Sequence, residues 1–330
     1  MSNKIVLSGV RPTGNLHLGN YFGALRNFVR MQEDYKCYFF IADLHSLTTH
    51  PAPEDLKRNV RNILANYLAC GIDPAKSVIY AQSALPETTE LYLYLNMLAS
   101  LGELSRCTSF KDKARDNPSN INAGLLTYPT LMAADILIHK SDYVPVGKDQ
   151  LQHLEMTRDF ANRFNSMYKT DYFNEPQAFN FGEKALKVPG LDGKSKMGKS
   201  EGEMNAIYLS DTDEAIRKKV MRAVTDSGPT AINQEKPEVI DNLFSLVRLI
   251  SGEDTFAYFN EQYNNMAIRY GDMKKQLAED AIKFVAPFRE RIVELLADNT
   301  YLDKVLAEGA LLARESGSKT IKEVREIIGL

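Results

Sequence analysis

Cys37-Tyr38-Phe39-Phe40-Ile41-Ala42 is an unbroken apolar run that stops at Asp43. A strand with one wet face alternates apolar and polar residues. A run with no polar member instead suits a parallel sheet covered on both faces. Outward from it, Ile5-Val6-Leu7, Val78-Ile79-Tyr80-Ala81 and Tyr143 to Val146 read as further short strands. Helical stripes lie between them. Phe22, Leu25, Val29 and Gln32 mark one. Leu56, Val60, Ile63, Leu64, Tyr67 and Leu68 share a face of a helix over Glu54–Cys70, with Gly71 as its stop, and Leu91, Leu95 and Leu98 mark a third. Strand–helix alternation at this spacing predicts an α/β fold, a doubly wound parallel sheet. Ligands of such sheets sit at the C-terminal strand ends, where Gly9–Asn20 and Gly147-Lys148-Asp149 fall.

After about residue 200 helical periodicity takes over, at Ile216–Val224, Val239–Ile250, Leu277–Leu296, Tyr301–Ala313 and Thr320–Ile328. Ser210-Asp211-Thr212-Asp213 reads as a capping box before the first of these. Pro287 is expected to kink or split the third. The expected division is an α/β domain over residues 1–200 and a helical domain over 201–330, with a last helix able to pack back on the first domain. The 330 residues are 44% hydrophobic and 25% charged, an ordinary globular composition. No apolar run reaches the ~18 residues of a membrane span. Met1-Ser2-Asn3-Lys4 leads straight into a strand and is not a signal peptide, so the expected location is cytoplasmic. Cys37, Cys70 and Cys107 are widely spaced with no Cys-x-x-Cys pair, which speaks against a zinc site or a disulfide framework. The net charge of −3 rules out an overall basic coat but leaves room for local phosphate-binding patches. The chain contains no tryptophan.

Two stretches look made to hold phosphate. Pro12-Thr13-Gly14-Asn15-Leu16-His17-Leu18-Gly19-Asn20 places a glycine-rich turn before a helix start. Free backbone N–H groups and the helix dipole attract anions there. His17 and Asn20 add polar side chains, and Gly19 lets a base or phosphate approach the backbone. The second stretch, Lys196-Met197-Gly198-Lys199-Ser200, sets two lysines on a loop behind Pro189-Gly190-Leu191-Asp192-Gly193, read as a mobile segment. Most lysine clusters are solvated surface, but this one stands where the α/β pattern ends. Substitution at phosphorus depends on positioning and on neutralising the charge that grows in the transition state. Lys196 and Lys199 can do this, as can Lys111 and Lys113. A nucleophile that is already a carboxylate needs no general base.

Tyr128-Pro129-Thr130-Leu131-Met132-Ala133-Ala134-Asp135-Ile136-Leu137-Ile138 reads as a buried helix with proline in its first turn. Asp135 in its middle is costly unless paired. It has either a structural partner or a ligand to accept from, and both readings stand at this point. An ionised carboxylate only accepts and an indole N–H only donates, so the two are complementary. Met132 lies one turn earlier on the same face. In Gly147-Lys148-Asp149-Gln150, Asp149 with Gln152 looks like a capping pair for a helix over Leu151–Phe164, a role compatible with a ribose contact.

The two phosphate-binding stretches resemble the HIGH and KMSKS signatures of class I aminoacyl-tRNA synthetases. Along almost its whole length the chain is similar to the bacterial tryptophanyl-tRNA synthetases. Matching blocks include Asn20-Tyr21-Phe22-Gly23-Ala24-Leu25, Ala42-Asp43-Leu44-His45, Gly102-Glu103-Leu104-Ser105-Arg106, Val144-Pro145-Val146-Gly147, His153-Leu154-Glu155 and Ala223-Val224-Thr225-Asp226-Ser227. The resemblance implies a Rossmann-like nucleotide-binding sheet and ATP-dependent activation of L-tryptophan, with Mg2+ carried by ATP and no metal site on the protein. It also implies transfer to tRNA(Trp) by a homodimer whose helical domain reads the anticodon. By position it implies ATP contacts at Arg11, Pro12, Thr13, Gly19, Asn20, Gly147, Lys148, Asp149, Val188, Lys196, Met197, Gly198, Lys199 and Ser200. Catalytic roles fall to His17, Lys113, Lys196 and Lys199, and a tryptophan pocket to Tyr128, Met132, His45, Gln150 and Asp135, with Asp135 on the indole nitrogen. Three positions depart from the pattern. Arg11 stands where many relatives have glutamine, Gly198 replaces the middle serine of KMSKS, and Lys148 replaces an acid. The alternatives are a tyrosyl-tRNA synthetase-like enzyme, against which Met132 speaks, and a non-catalytic or regulatory synthetase paralogue.

Overall fold

The computed structural model describes residues 3–147, 150–179, 188–198 and 202–330. Five strands form one parallel sheet in the order β3-β2-β1-β4-β5. They are β1 (Ile5–Val10), β2 (Lys36–Ile41), β3 (Ser77–Ala81), β4 (Tyr143–Val144) and β5 (Gln177–Ala178). β1 pairs with β2 from Ile5 opposite Lys36 to Val10 opposite Ile41. The apolar run around Phe39 is explained by two cores. Val6, Phe39, Ile41 and Ile79 belong to one, and Leu7, Tyr38, Phe40 and Tyr80 to the other, on opposite faces of the sheet. β5 escaped the sequence reading because two residues carry no pattern.

In chain order the helices of the first part are α1 (Leu18–Asn20), α2 (Arg26–Asp34), α3 (Asp43–Ser46), α4 (Pro53–Ala69) and α5 (Glu87–Leu98). α6 (Leu101–Arg106), α7 (Thr108–Asp116), α8 (Ala123–Leu126), α9 (Tyr128–Ile138) and α10 (Leu151–Tyr168) follow. A π-helical turn, Tyr21–Leu25, joins α1 to α2. The later helices are α11 (Asp213–Met221), α12 (Glu238–Ser251), α13 (Glu253–Asn264), α14 (Tyr270–Ala297) and α15 (Asn299–Ile328). Strand order reverses between β1 and β4. The glycine turn follows β1 and Gly147 follows β4, so both lie at the crevice where such sheets bind ligands.

Three local expectations are corrected. α14 runs unbroken through Pro287, because buried Ile282 and Val285 before it and Ile292 and Leu295 after it hold both halves in one core. Tyr301–Ala313 and Thr320–Ile328 are one helix: Gly309 is buried against Ile79 of β3 and Gly317 against Leu85 and Ile138, so the chain stays helical where it packs closely. The cap of α11 is Thr212, whose hydroxyl accepts from Ala215 N at 3.2 Å. Asp211 instead accepts from Tyr208 N and holds the buried Lys219 ammonium at 2.7 Å. In the basic stretch after it, Arg217 is paired with Glu279, leaving Lys218 and Arg222 on the exposed face.

Candidate active site

β1 ends at Val10, and the chain turns, with Thr13 N donating to Arg11 O at 2.8 Å. His17, in an extended conformation, caps α1. Its Nδ1 accepts from Asn20 N at 3.3 Å while its own N–H donates to Asn20 Oδ1 at 3.1 Å. The two polar residues of the first motif therefore brace each other and set the shape of the turn. The turn is also pinned from outside: Leu18 N donates to Ile207 O, Leu209 N donates to Leu16 O, and His17 pairs antiparallel with Tyr208.

The second motif arrives on a hairpin. Pro189 pairs with Lys196, Met197 N donates to Val188 O at 2.8 Å, and Gly190 N donates to Ser195 O at 2.9 Å. The Pro189–Gly193 segment, expected to be loose, is tied down. Asp192 accepts from Lys194 N and Ser195 N, and buried Asn205 accepts from Asp192 N and donates to Ser195 Oγ. The two motifs touch: a Cβ on Gly19 would lie 3.2 Å from the Met197 carbonyl and 2.9 Å from the His17 ring. Lys196 is exposed, Met197 buried and Gly198 half-buried. Lys148, Asp149, Lys199 and Ser200 lie outside the described residues. So does one half of the expected Asp149–Gln152 cap; Gln152 Oε1 accepts from Thr108 N instead. Gln150 is exposed at the start of α10, its N–H on Gly147 O.

The positive charge of Arg11, just after β1, reaches Lys113 on α7. Lys113 Nζ on α7 lies 4.3 Å above the Tyr128 ring. Its pKa is lowered, first by burial and then by the positive charge of Arg11. Arg11 Nε is buried with no hydrogen-bond partner among the described residues. Two like charges with an unanswered donor are stabilised by an anion between them. Tyr128 also packs on His45, ring centroids 4.4 Å apart, and on His153 at 5.7 Å. His153 Nε2 meets Ser109 Oγ at 2.8 Å and Cys107 Sγ at 3.6 Å. Burial alone would raise the Cys107 thiol, yet these bonds bring it down to about 7.

Asp135 is 2% exposed and held by two side chains of the fold. His45 Nε2 sits 2.8 Å from Oδ2, and Gln82 Nε2 sits 2.7 and 2.9 Å from the two oxygens. Burial pushes its pKa up; His45 and Gln82 pull it back. A cavity of about 280 Å³ opens alongside, lined among others by Leu44, His45, Tyr92, Thr127, Tyr128 and Leu131. Met132, Asp135 and Gln150 are not in its wall. Met132 packs on the core behind it. The structure thus brings His45, Tyr128 and Asp135 together, and separately Gly19 and Met197. Gln82 and Asp43 escaped the sequence reading. Both stand at C-terminal strand ends, which is the one signal that points to them. Asp43 accepts from Leu44 N and Ser83 N at 2.9 Å. No cluster of acids, histidines and cysteines able to hold a metal occurs among the described residues.

Comparison with known proteins bears on the family and the fold. The family model for tRNA synthetases class I (W and Y) matches residues 2–286. A tryptophan–tRNA ligase from Porphyromonas gingivalis is 63% identical over 324 residues, covering 98% of each chain. The tryptophanyl-tRNA synthetase of Campylobacter jejuni, solved in complex with ADP and tryptophan, superposes with a TM-score of 0.89 at 36% identity over 99% of this chain and 100% of that one. A tyrosyl-tRNA synthetase from Aeropyrum pernix, with a TM-score of 0.67 at 18% identity over 93% of this chain and 90% of that one, shares the fold. With a family match over most of its length and relatives that align end to end, this chain belongs to the class I tRNA synthetases (W and Y).

Proposed function

We propose that this chain activates L-tryptophan with ATP and passes the aminoacyl group to tRNA(Trp). A carboxylate oxygen of tryptophan attacks the α-phosphorus of ATP. The new acyl–O–P bond forms as the bond from that phosphorus to the bridging oxygen breaks, giving tryptophanyl-adenylate and pyrophosphate. A ribose hydroxyl of the tRNA end then attacks the acyl carbon, and AMP leaves.

The observation that carries the reading is the charge of Arg11 bearing on Lys113, with the unanswered Arg11 Nε, beside the His45–Tyr128 cavity. An amino-acid carboxylate and an α-phosphate would meet there. Arg11, where many relatives have glutamine, puts a full positive charge beside that anion. Lys196 and Lys199 neutralise the departing pyrophosphate. Pro12, Thr13, Gly19, Asn20, Gly147, Asp149, Val188 and Ser200 hold the nucleotide, and the His17–Asn20 cap keeps the turn in shape. Mg2+ enters with ATP as a counter-ion on its phosphates. These two cations suit Mg-ATP held through phosphate, and no residue here is assigned to the metal. Asp135 accepts the indole N–H, with Met132, Tyr128, His45 and Gln150 around the ring.

Residues 201–330 act as the anticodon-reading half. Leu93, Met97 and Leu101, 50%, 75% and 71% exposed on α5 and α6, support a homodimer through that strip. Three buried free thiols suit a reducing, cytoplasmic setting. No helix of the described residues is long and apolar enough to cross a membrane. The test is amino-acid-dependent exchange of labelled pyrophosphate into ATP. Exchange with tryptophan and not with tyrosine is expected. Exchange with tyrosine would move the chain to the tyrosyl group, and exchange with neither, in folded protein, would make it a non-catalytic paralogue.

A further inference from the structure

A carboxylate offers about four acceptor sites on two oxygens. Around Asp135 the described residues occupy three. Oδ2 is approached twice, by His45 Nε2 at 2.8 Å and Gln82 Nε2 at 2.9 Å, and Oδ1 once, by Gln82 Nε2 at 2.7 Å. One site remains on Oδ1. Gln82 itself has no freedom to turn over. Its Oε1 accepts the His45 backbone N–H at 3.3 Å, and a backbone N–H can only donate, so the amide oxygen must face His45 and the NH2 group must face Asp135. Gln82 is 1% exposed and His45 3%, so water does not compete for these bonds. His45 alone would pin one carboxylate oxygen and leave the group to rotate about it; Gln82 spans both oxygens and stops that rotation.

We propose that Gln82 is a positioning residue for amino-acid selection: it locks the Asp135 carboxylate as an acceptor whose single open site, on Oδ1, is aimed at the ring N–H of an indole. The proposal rests on the reading of Asp135 as the indole acceptor. Gln82 touches no reacting atom; it acts through Asp135 and through the backbone of His45.

The experiment is pyrophosphate exchange by the full-length enzyme with tryptophan and with its analogue carrying ring sulfur in place of N–H. Gln82→Met keeps length and removes the amide. The preference for tryptophan over the sulfur analogue should fall by about tenfold or more, through KM for tryptophan, with KM for ATP unchanged. Gln82→Leu likewise removes the amide at similar volume. It should lose the same preference, and it carries the comparison if Gln82→Met does not fold. Equal losses on both substrates, or a preference that survives either change, overturn the proposal. Asp135→Ala is run beside them. If it too leaves the preference intact, the acceptor reading of Asp135 falls. If it alone collapses the preference, only the role of Gln82 falls.

Discussion

His139 carries a proton-linked cost that the residue alone does not reveal. Its ring is stacked on Tyr38 at 4.1 Å, and its Nε2 meets the Tyr80 hydroxyl at 2.9 Å. Burial, helped by the charge of Lys36, lowers its pKa from 6.5 to about 3. The folded value is the depressed one, so the unfolded chain binds a proton that the folded chain does not. Its contribution is complete above pH 6.5 and is lost as pH falls towards about 3, by at most ~1.4 kcal/mol per pH unit. Urea midpoints across that window should fall less steeply for His139→Gln than for the parent. Parallel slopes would show that another group sets the acid limit. Asp135 marks the border of what one residue discloses. A lone acid in an apolar helix was legible as a problem needing a partner. Its partners were not, because His45 and Gln82 are 90 and 53 residues away in the chain.

At the scale of elements, local rules located most helices and misjudged where they stop. Periodicity and a first-turn proline found α4 and α9, since neighbouring turns of one helix carry those signals. Pro287 read as a kink or a split because local cost is all that local rules contain. Gly309 tests the point. Glycine inside a helix is worse than alanine by about 1 kcal/mol, so Gly309→Ala should stabilise α15 on local grounds. In the fold a Cβ there would lie 1.7 Å from the Ile79 carbonyl oxygen of β3. We expect destabilisation of about 1–3 kcal/mol, read from denaturant midpoints, because the helix must lift from the strand. Gly271→Ala in α14 is the control: nothing lies within 4 Å of its Cβ, and the local preference should act unopposed. A gain at position 309 would mean that α15 does not rest on β3.

At the scale of the molecule, α11 to α14 share a core with one face of the sheet, and α15 runs from that core into the one on the other face. Phe284 stacks on Phe22 at 5.4 Å, and Phe288 packs on Tyr21 at 4.9 Å, so α14 leans on the π-turn that follows the His17–Asn20 cap. α15 lies along β3, the edge strand, and covers it. The uncovered apolar strip is on α5 and α6. If it is the dimer face, the parent should run as a dimer in light scattering and Met97→Glu with Leu101→Glu as a monomer; a monomeric parent would remove that assignment.

The sequence by itself determined what short-range physics controls. It set the two-faced parallel sheet, because an apolar run with no polar member must be covered twice. It set the glycine turn and the lysine loop, because their residues are adjacent, and it set the isolated acid of α9. Only the tertiary structure decided that Gly19 meets Met197, that the charge of Arg11 bears on Lys113, that Gln82 and His45 hold Asp135, and that α15 closes the sheet edge. Each of these joins distant segments, and the hydrogen bonds, charges and packing that settle them exist only once the chain has closed around them.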